Sequence, residues 1–470
     1  MKHNMLLSTL LVSGFLACAP ALAKNGKPNN PHLPAPVTDA DFREHSPEKV
    51  ELGKNLMFDK LLSGNMNISC ATCHHALTDT GDGLSLPVGE GGRGLGVTRD
   101  TGSGSDAIHE RVPRNAPPIF NLGAHEFTVL FHDGRVEVDP SYPSGCKTPA
   151  GYRLPHTLEN VLACQAMFPV TSPAEMAGQP DDKGIAGNSI ADAAAKGDLE
   201  ILWELLADRL RNTDGYVELF KAAFPPGDPN HISEAADITY AHAANAIAAF
   251  EGTNWRADNS PFDRYLRGDK HAMSRNAQEG MKLFYKGNRK GKACADCHSG
   301  KFQTDHSFHA IAMPQIGPGK GDGDGIAVRG HEDYGREQVT RDPADRYTFR
   351  TPTLRNIALT APYGHSGCYN SLRAVVDHHI DAVNSLNAYD TSQAVLPSRG
   401  DLDEIDFVVM EDQSTKDAIA AAAYELPAMH YSDRDVDRII DFLHALTDPA
   451  SIDLRNDMPE SVPSGLTLAE

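Results

Sequence analysis

Apolar residues along this chain recur at helical spacing. Leu199, Leu202, Leu205, Leu206 and Leu210 follow Asp198 in steps that place them on one face, which predicts a helix with a single buried stripe. Ser432 and Asp435 read as a capping box, followed by the stripe Val436, Ile439, Ile440 and Leu443. Ser371 precedes Leu372, Val375, Val376 and His379. These are spaced i, i+3, i+4 and i+7, so His379 shares a buried face while His378 points about 100° away. No period-two alternation is sustained, so the expected fold class is mainly α with long loops.

The segments between are rich in Gly and Pro. Residues 24–40 carry Pro and Asn and read as a tether. Residues 81–105 are Gly-rich and are expected to form a mobile loop. Gly317 to Gly325 is similar. Its Asp322-Gly-Asp324-Gly lacks the later Glu of a calcium loop and reads as flexible.

A weak internal repeat runs through the 470 residues. Gly53-Lys-Asn-Leu56, a C-x-x-C-H, Pro117-Pro-Ile-Phe-Asn121 and Phe131-His132-Asp-Gly134 occur in the first half. Gly280-Met-Lys-Leu283, a second C-x-x-C-H, Pro352-Thr-Leu-Arg-Asn356 and Gly364-His365-Ser-Gly367 follow in the same order. Two related, mostly helical domains are expected, in keeping with a length that exceeds one usual core.

Composition narrows the classes. Hydrophobic residues make up 40% and charged residues 23%, an ordinary globular balance. The formal net charge of −21 repels phosphate and disfavours nucleic acid. Lys2 and His3, the apolar stretch Met5 to Ala17, and Ala21-Leu22-Ala23 read as an export signal cleaved after Ala23. A lipoprotein site at Cys18 is disfavoured, because Phe15 stands where such sites usually have Leu. No later apolar run is long enough to span a bilayer.

Four of the eight cysteines form Cys70-Ala-Thr-Cys73-His74 and Cys294-Ala-Asp-Cys297-His298. This spacing lets one turn of chain offer two thioether sulfurs to a haem edge and an imidazole to its iron. For this composition about 0.006 such motifs are expected by chance. Zinc fits poorly, because its second cysteine pair would lie much nearer, and a thioredoxin pair needs neither the His nor a second copy. Two covalently bound haem c groups are therefore expected, with His74 and His298 as iron ligands. Of the rest, Cys146 and Cys164 suit a disulfide in an oxidising compartment, and Cys368 is left without a role.

Beyond these motifs the chain resembles the di-haem bacterial cytochrome c peroxidases and their MauG-type relatives, from about Leu52 to about Leu446. The resemblance rests on Leu52-Gly53, the two haem motifs, Pro113-Arg-Asn-Ala-Pro117, Phe131-His-Asp-Gly-Arg135 and Ser172-Pro-Ala-Glu-Met176. It continues through Ser260-Pro-Phe-Asp-Arg-Tyr-Leu266, Thr351-Pro-Thr-Leu-Arg-Asn356 and Ala361-Pro-Tyr-Gly-His365. It implies that the N-terminal haem meets peroxide and that Glu175 handles protons, against the plain reading of a helix-start Glu after Pro173. It implies that His109 is the loop His that blocks this haem in the oxidised state, although its distance to Pro113-Arg-Asn115 is two residues shorter than expected. An exposed loop His is the alternative. Asn115 matches a residue at a calcium ion between the haems, or is a turn Asn beside Pro. His379 occupies the position of the second axial ligand of the C-terminal haem, a Met in the peroxidases and a Tyr in MauG; the alternative is a core His. His132 stands where relatives usually carry Trp, and an imidazole is the poorer relay for a hole.

The expected organisation is a signal peptide (1–23), an N-terminal tether (24–45), a peroxidatic haem domain (46–255), an electron-transfer haem domain (256–450) and a C-terminal tail (451–470). The leading functional reading is a periplasmic peroxidase that reduces hydrogen peroxide to water. Its expected electron donor is a small redox protein, a cytochrome c or a cupredoxin, and a homodimer is the candidate assembly. The alternatives are a MauG-type enzyme oxidising side chains of a partner protein, and a non-catalytic electron carrier with both haems six-coordinate. Bis-His ligation by His298 and His379 would lower the second haem's potential relative to His/Met.

Overall fold

The computed structural model describes residues 33–104, 107–180, 187–287, 292–320 and 330–468. The expected signal peptide and Asp322-Gly-Asp324 lie outside the described residues. Helices dominate, and sheet is limited to short pairings. The helices that position the motifs are α1 (Pro47–Phe58), α2 (Leu199–Arg211), α3 (Tyr240–Asn254), α4 (Arg275–Lys286), α5 (Leu372–Ile380), α6 (Gly400–Asp406) and α7 (Asp433–His444).

Capping residues set several helix starts. Ser46 accepts from Lys49 N–H ahead of Pro47 at the first position of α1. Ser371 does the same for Ala374 in α5, and Ser432 for Asp435 in α7. The α2 stripe is buried through Leu202, Leu206 and Leu210, joined by Trp203 and Ala207. Helix α3 was not legible as an amphipathic pattern. It is buried on every side from Tyr240 to Gly252, as a helix at the centre of a core must be.

Each haem motif follows a helix that crosses a later one closely. A Cβ at Gly53 of α1 would run into the Ala246 carbonyl oxygen of α3, and one at Gly280 of α4 into the Arg438 carbonyl of α7. Only glycine permits either crossing. One hydrophobic core gathers residues between Leu52 and Ala257, with Leu454 and Val462 returning from the tail. A second gathers residues between Phe262 and Leu446. The tail is tied to the first core, with Ser464 Oγ 2.7 Å from Asp59 Oδ1.

The three-stranded antiparallel sheet Val129–Leu130, Val136–Val138 and Cys146–Lys147 pairs Leu130 with Val136 and Val138 with Cys146. Its last strand holds the Cys146–Cys164 disulfide expected from the sequence. Phe308–His309 pairs with Phe349–Arg350.

Two expectations about loops are corrected. The Gly-rich segment is irregular but packed, with Leu84, Leu86 and Val88 buried and the Arg99 side chain donating to the carbonyls of Val88, Gly89 and Gly94. Glycine lets it pack by its backbone, because a Cβ at Gly89 would overlap the Ala174 carbonyl. The end of the tether is also anchored. Val37 and Phe42 are buried, and Phe42 meets Phe302 edge-on.

Candidate functional site

The first motif begins a single helical turn, Cys70–Cys73, capped at Ser69. His74 Nδ1–H donates to the Thr80 carbonyl at 3.0 Å, which fixes the tautomer and frees Nε2 for a metal. No ring pairs with His74 among the described residues.

Glu175 lies in a single π-helical turn, Pro173–Ala177, a geometry that recurs at functional sites. Ser172 Oγ accepts its backbone N–H at 3.3 Å. The side chain is half-buried, and its charge reaches both Cys70 and Cys73. Burial pushes the carboxyl above its ordinary value, and Lys320 and Arg135 pull in the other direction. Arg135 is itself held 3.6 Å over the Phe131 ring and against Asp133. Glu175 is thus a proton-handling candidate on the first motif's side.

His109 is exposed. Its loop approaches Glu175 through Val112, whose side chain sits beside Gly89, which in turn abuts Ala174. Arg111 behind it is fully buried and clamps Asp406 at the end of α6 through Nε and Nη2 at 2.9 Å each.

The second motif differs on its far side. His298 Nδ1 is bonded to the Gln303 carbonyl at 3.2 Å, and His379 Nδ1 to the Val375 carbonyl one turn back on α5 at 2.7 Å. The two rings lie with centres 6.2 Å apart and planes at 58°. An iron between two imidazoles needs roughly 4 Å between nitrogens and about 6 Å between ring centres, so the gap fits. Cys294 and Cys297 are half-buried free thiols beside it, as are Cys70 and Cys73 beside His74. Both sites therefore have the donor set of a haem c.

The expected buried face of α5 is corrected: of its residues only Leu372 and His378 are buried, and Val375, Val376 and His379 are half-buried. His378 does not point out of the core but is its most buried residue. It is pinned by the Ile311 carbonyl at Nε2 (2.8 Å) and by Tyr369 Oη at Nδ1 (3.0 Å). Both ring nitrogens are used, so His378 has none to offer a metal. Asp305 and His309 lie near Cys297 Sγ, but a thioether would take that sulfur.

Between the motifs, the Asn115 backbone N–H donates to the His365 carbonyl at 2.9 Å, and its side-chain amide donates to the carbonyls of Leu84 and Ser85. His132 Nε2–H donates to the Asn115 carbonyl at 3.1 Å. Burial and the nearby Arg114 push the His132 pKa down to about 3, so the imidazole is neutral. Arg114 is shared between Asp133 (2.6 Å) and Asp333 (2.7 Å). A cavity of about 10 Å³, room for one small ion or water, is lined by Asp82, Asn115, Thr360 and Ala361 among others. Nothing in the sequence singled out Asp82, which sits in the segment read as a mobile loop. The carbonyls of Thr80 and Gln303 were equally silent, because any residue type supplies a backbone oxygen.

Comparison with known proteins agrees with this geometry. Residues 47–271 match the family model of di-haem cytochrome c peroxidases. The chain is 32% identical to the methylamine utilization protein MauG of Methylorubrum extorquens, over 71% of this chain and 69% of that protein. It is 29% identical to cytochrome c551 peroxidase of Pseudomonas aeruginosa, over 71% and 72%. Its fold matches the diheme peroxidase BthA of Burkholderia thailandensis with a TM-score of 0.55 at 19% identity, covering 91% of each chain. A MauG-like protein associated with microbial copper homeostasis matches with a TM-score of 0.56 at 24% identity, over 92% of this chain and 97% of that one. The chain belongs to the di-haem cytochrome c peroxidase and MauG family of oxidoreductases, which carry two haems c.

Proposed function

We propose that this protein is a periplasmic peroxidase that reduces hydrogen peroxide to water with electrons from a small redox protein. The observation that carries the reading is the asymmetry of the two sites. The second pairs His298 with a facing imidazole at 6.2 Å. The first has no facing ring among the described residues and has Glu175 nearby. A carrier with both haems six-coordinate has no use for that difference.

The haems, when bound at Cys70, Cys73, Cys294 and Cys297, supply the redox centres. The chain's own residues do the rest. His74 and His298 are the proximal ligands, oriented by Thr80 and Gln303. His379 closes the second site. Glu175 takes a proton from one peroxide oxygen and returns it to the other, so that H2O2 with two electrons and two protons yields two waters. Exposed His109 is the displaceable residue that enters and leaves the first site. A calcium ion between the sites is held at Asn115, beside a small cavity that Thr360 and Ala361 of the second half also line. The neutral His132 does not serve as a hole relay as a Trp would. The two halves are read as repeats, 46–255 and 256–450, supported by the matching glycine crossings at Gly53 and Gly280. Export by the N-terminal signal places the protein in the periplasm.

The test is peroxide turnover by the purified holoprotein with a reduced small cytochrome. Oxidation of two donor molecules per peroxide consumed is expected. Peroxide loss without donor oxidation, with oxidised side chains on an added protein instead, would overturn the reading in favour of MauG-type chemistry.

A further inference from the structure

Helix α5 carries a second histidine that haem ligation does not use. His378 is fully buried, and its ring centre lies 5.8 Å from that of His379, with the two planes at 89°. Its Nε2–H donates to the Ile311 carbonyl at 2.8 Å, since a carbonyl can only accept. Burial and the neighbouring His379 lower its pKa, so the ring is neutral and Nδ1 keeps a lone pair. Tyr369 meets that lone pair. Its Oη lies 3.0 Å from Nδ1, and the ring centres are 5.1 Å apart.

The tautomer fixes the direction of this bond. The Tyr369 hydroxyl donates to His378, and the Ser385 hydroxyl, 2.8 Å away, donates to the phenol oxygen. Tyr369 is only 2% exposed, so its proton can leave only to a protein group. Two other phenols of this half lack such a base. Tyr363 and Tyr389 donate to the carbonyls of Ile357 and Cys368, which accept a hydrogen bond but do not take the proton. That difference matters for redox chemistry. A phenol that loses an electron becomes a very strong acid, so its oxidation is eased when a positioned base removes the proton in the same step.

We propose that Tyr369 is a redox-active tyrosine that gives an electron toward the second haem through His378 and His379 and passes its phenolic proton to His378 Nδ1. The proposal rests on the peroxidase reading and on His379 as ligand of the second haem. Reduction of one hydrogen peroxide to two waters takes two electrons, with two protons from solvent. With one electron stored beforehand at the second iron and no donor protein present, Tyr369 supplies the other. Its O–H bond breaks, a neutral phenoxyl radical remains, and His378 becomes an imidazolium that still donates to Ile311. Ser385 continues to donate to the radical oxygen. When an electron arrives from the donor, the proton on His378 returns and the phenol is restored. Tyr369 thus holds the unmatched oxidising equivalent on a buried ring when the donor is short.

The test is electron paramagnetic resonance of the holoprotein, given one electron per chain, mixed with one equivalent of hydrogen peroxide and frozen. Wild type is expected to show a tyrosyl radical whose signal narrows when the protein is made with ring-deuterated tyrosine. Tyr369→Phe is expected to keep both haems and lose that signal. Tyr389→Phe is expected to keep it. A signal retained in Tyr369→Phe, or lost instead in Tyr389→Phe, overturns the assignment. If Tyr369→Phe does not fold, wild type labelled with nitrogen-15 histidine decides the question. Coupling of the radical to an imidazole nitrogen supports Tyr369, and a radical without it overturns the assignment. Oxidation of the stored electron by peroxide with no tyrosyl signal overturns the inference alone. No reaction with peroxide at all overturns the peroxidase reading and the inference together.

Discussion

A carboxyl that takes a proton from one peroxide oxygen and delivers it to the other must be able to act as base and then as acid. The position of Glu175 suits this, since burial raises its pKa above the ordinary 4.5 while Lys320 and Arg135 keep the charged form accessible. Glu175→Gln should lower peroxide turnover by about 10²-fold or more and keep both haems, because an amide cannot carry the proton. Because the base form acts first, kcat/KM should fall as the pH drops through that raised pKa, and the acid limb should vanish in the variant. Wild-type rates in Glu175→Gln would leave it a helix-start residue. His132→Trp should speed electron exchange between the haems in flash-photolysis kinetics, and an unchanged rate would show that the route avoids this position. At this scale the two C-x-x-C-H motifs were legible in the sequence, because two cysteines and a histidine must be adjacent to serve one haem. Thr80 and Gln303 were not legible. Their contacts with His74 and His298 depend on where a carbonyl is carried by the fold.

At the scale of elements, periodicity revealed the helices with one wet face and missed the one without. Leu202, Leu206 and Leu210 announce α2, whereas the Ala-rich α3 is buried all round and shows no period. On α5 the register turned His379 to the side of His298, and the two ring centres lie 6.2 Å apart. It did not foresee that His378 would be the anchor on the opposite side, because Tyr369 and Ile311 arrive from other parts of the chain. His379→Met should keep the second haem low-spin and raise its potential, and His379→Ala should add a high-spin signal. An unchanged potential and spectrum in both variants would remove His379 from the iron. The glycine-rich segment shows the opposite failure. Its composition suggested mobility, yet Gly89 is needed for close backbone packing against Ala174.

At the scale of the whole molecule, the two halves meet through buried charge. Arg111 is fully buried with its guanidinium on Asp406, and Arg114 joins Asp133 to Asp333. Removing one partner strands the other, so Arg111→Met should cost about 3–5 kcal/mol and lower the melting temperature of the holoprotein. A melt within a degree or so of wild type would show that the clamp is dispensable. None of these pairings was visible in the sequence, since Arg111 and Asp406 are 295 residues apart. The two C-x-x-C-H motifs were visible, and each follows a helix crossed closely at a glycine, Gly53 and Gly280. What the likeness of the two motifs conceals is the inequality of the two sites, on which the proposed function depends. Carbon monoxide binding to the fully reduced holoprotein measures that inequality most directly, because the gas takes only an open ferrous site. One carbon monoxide per chain is expected, bound at the His74 haem. None bound would make both haems closed, as in an electron carrier, and two bound would show that His379 does not hold the second.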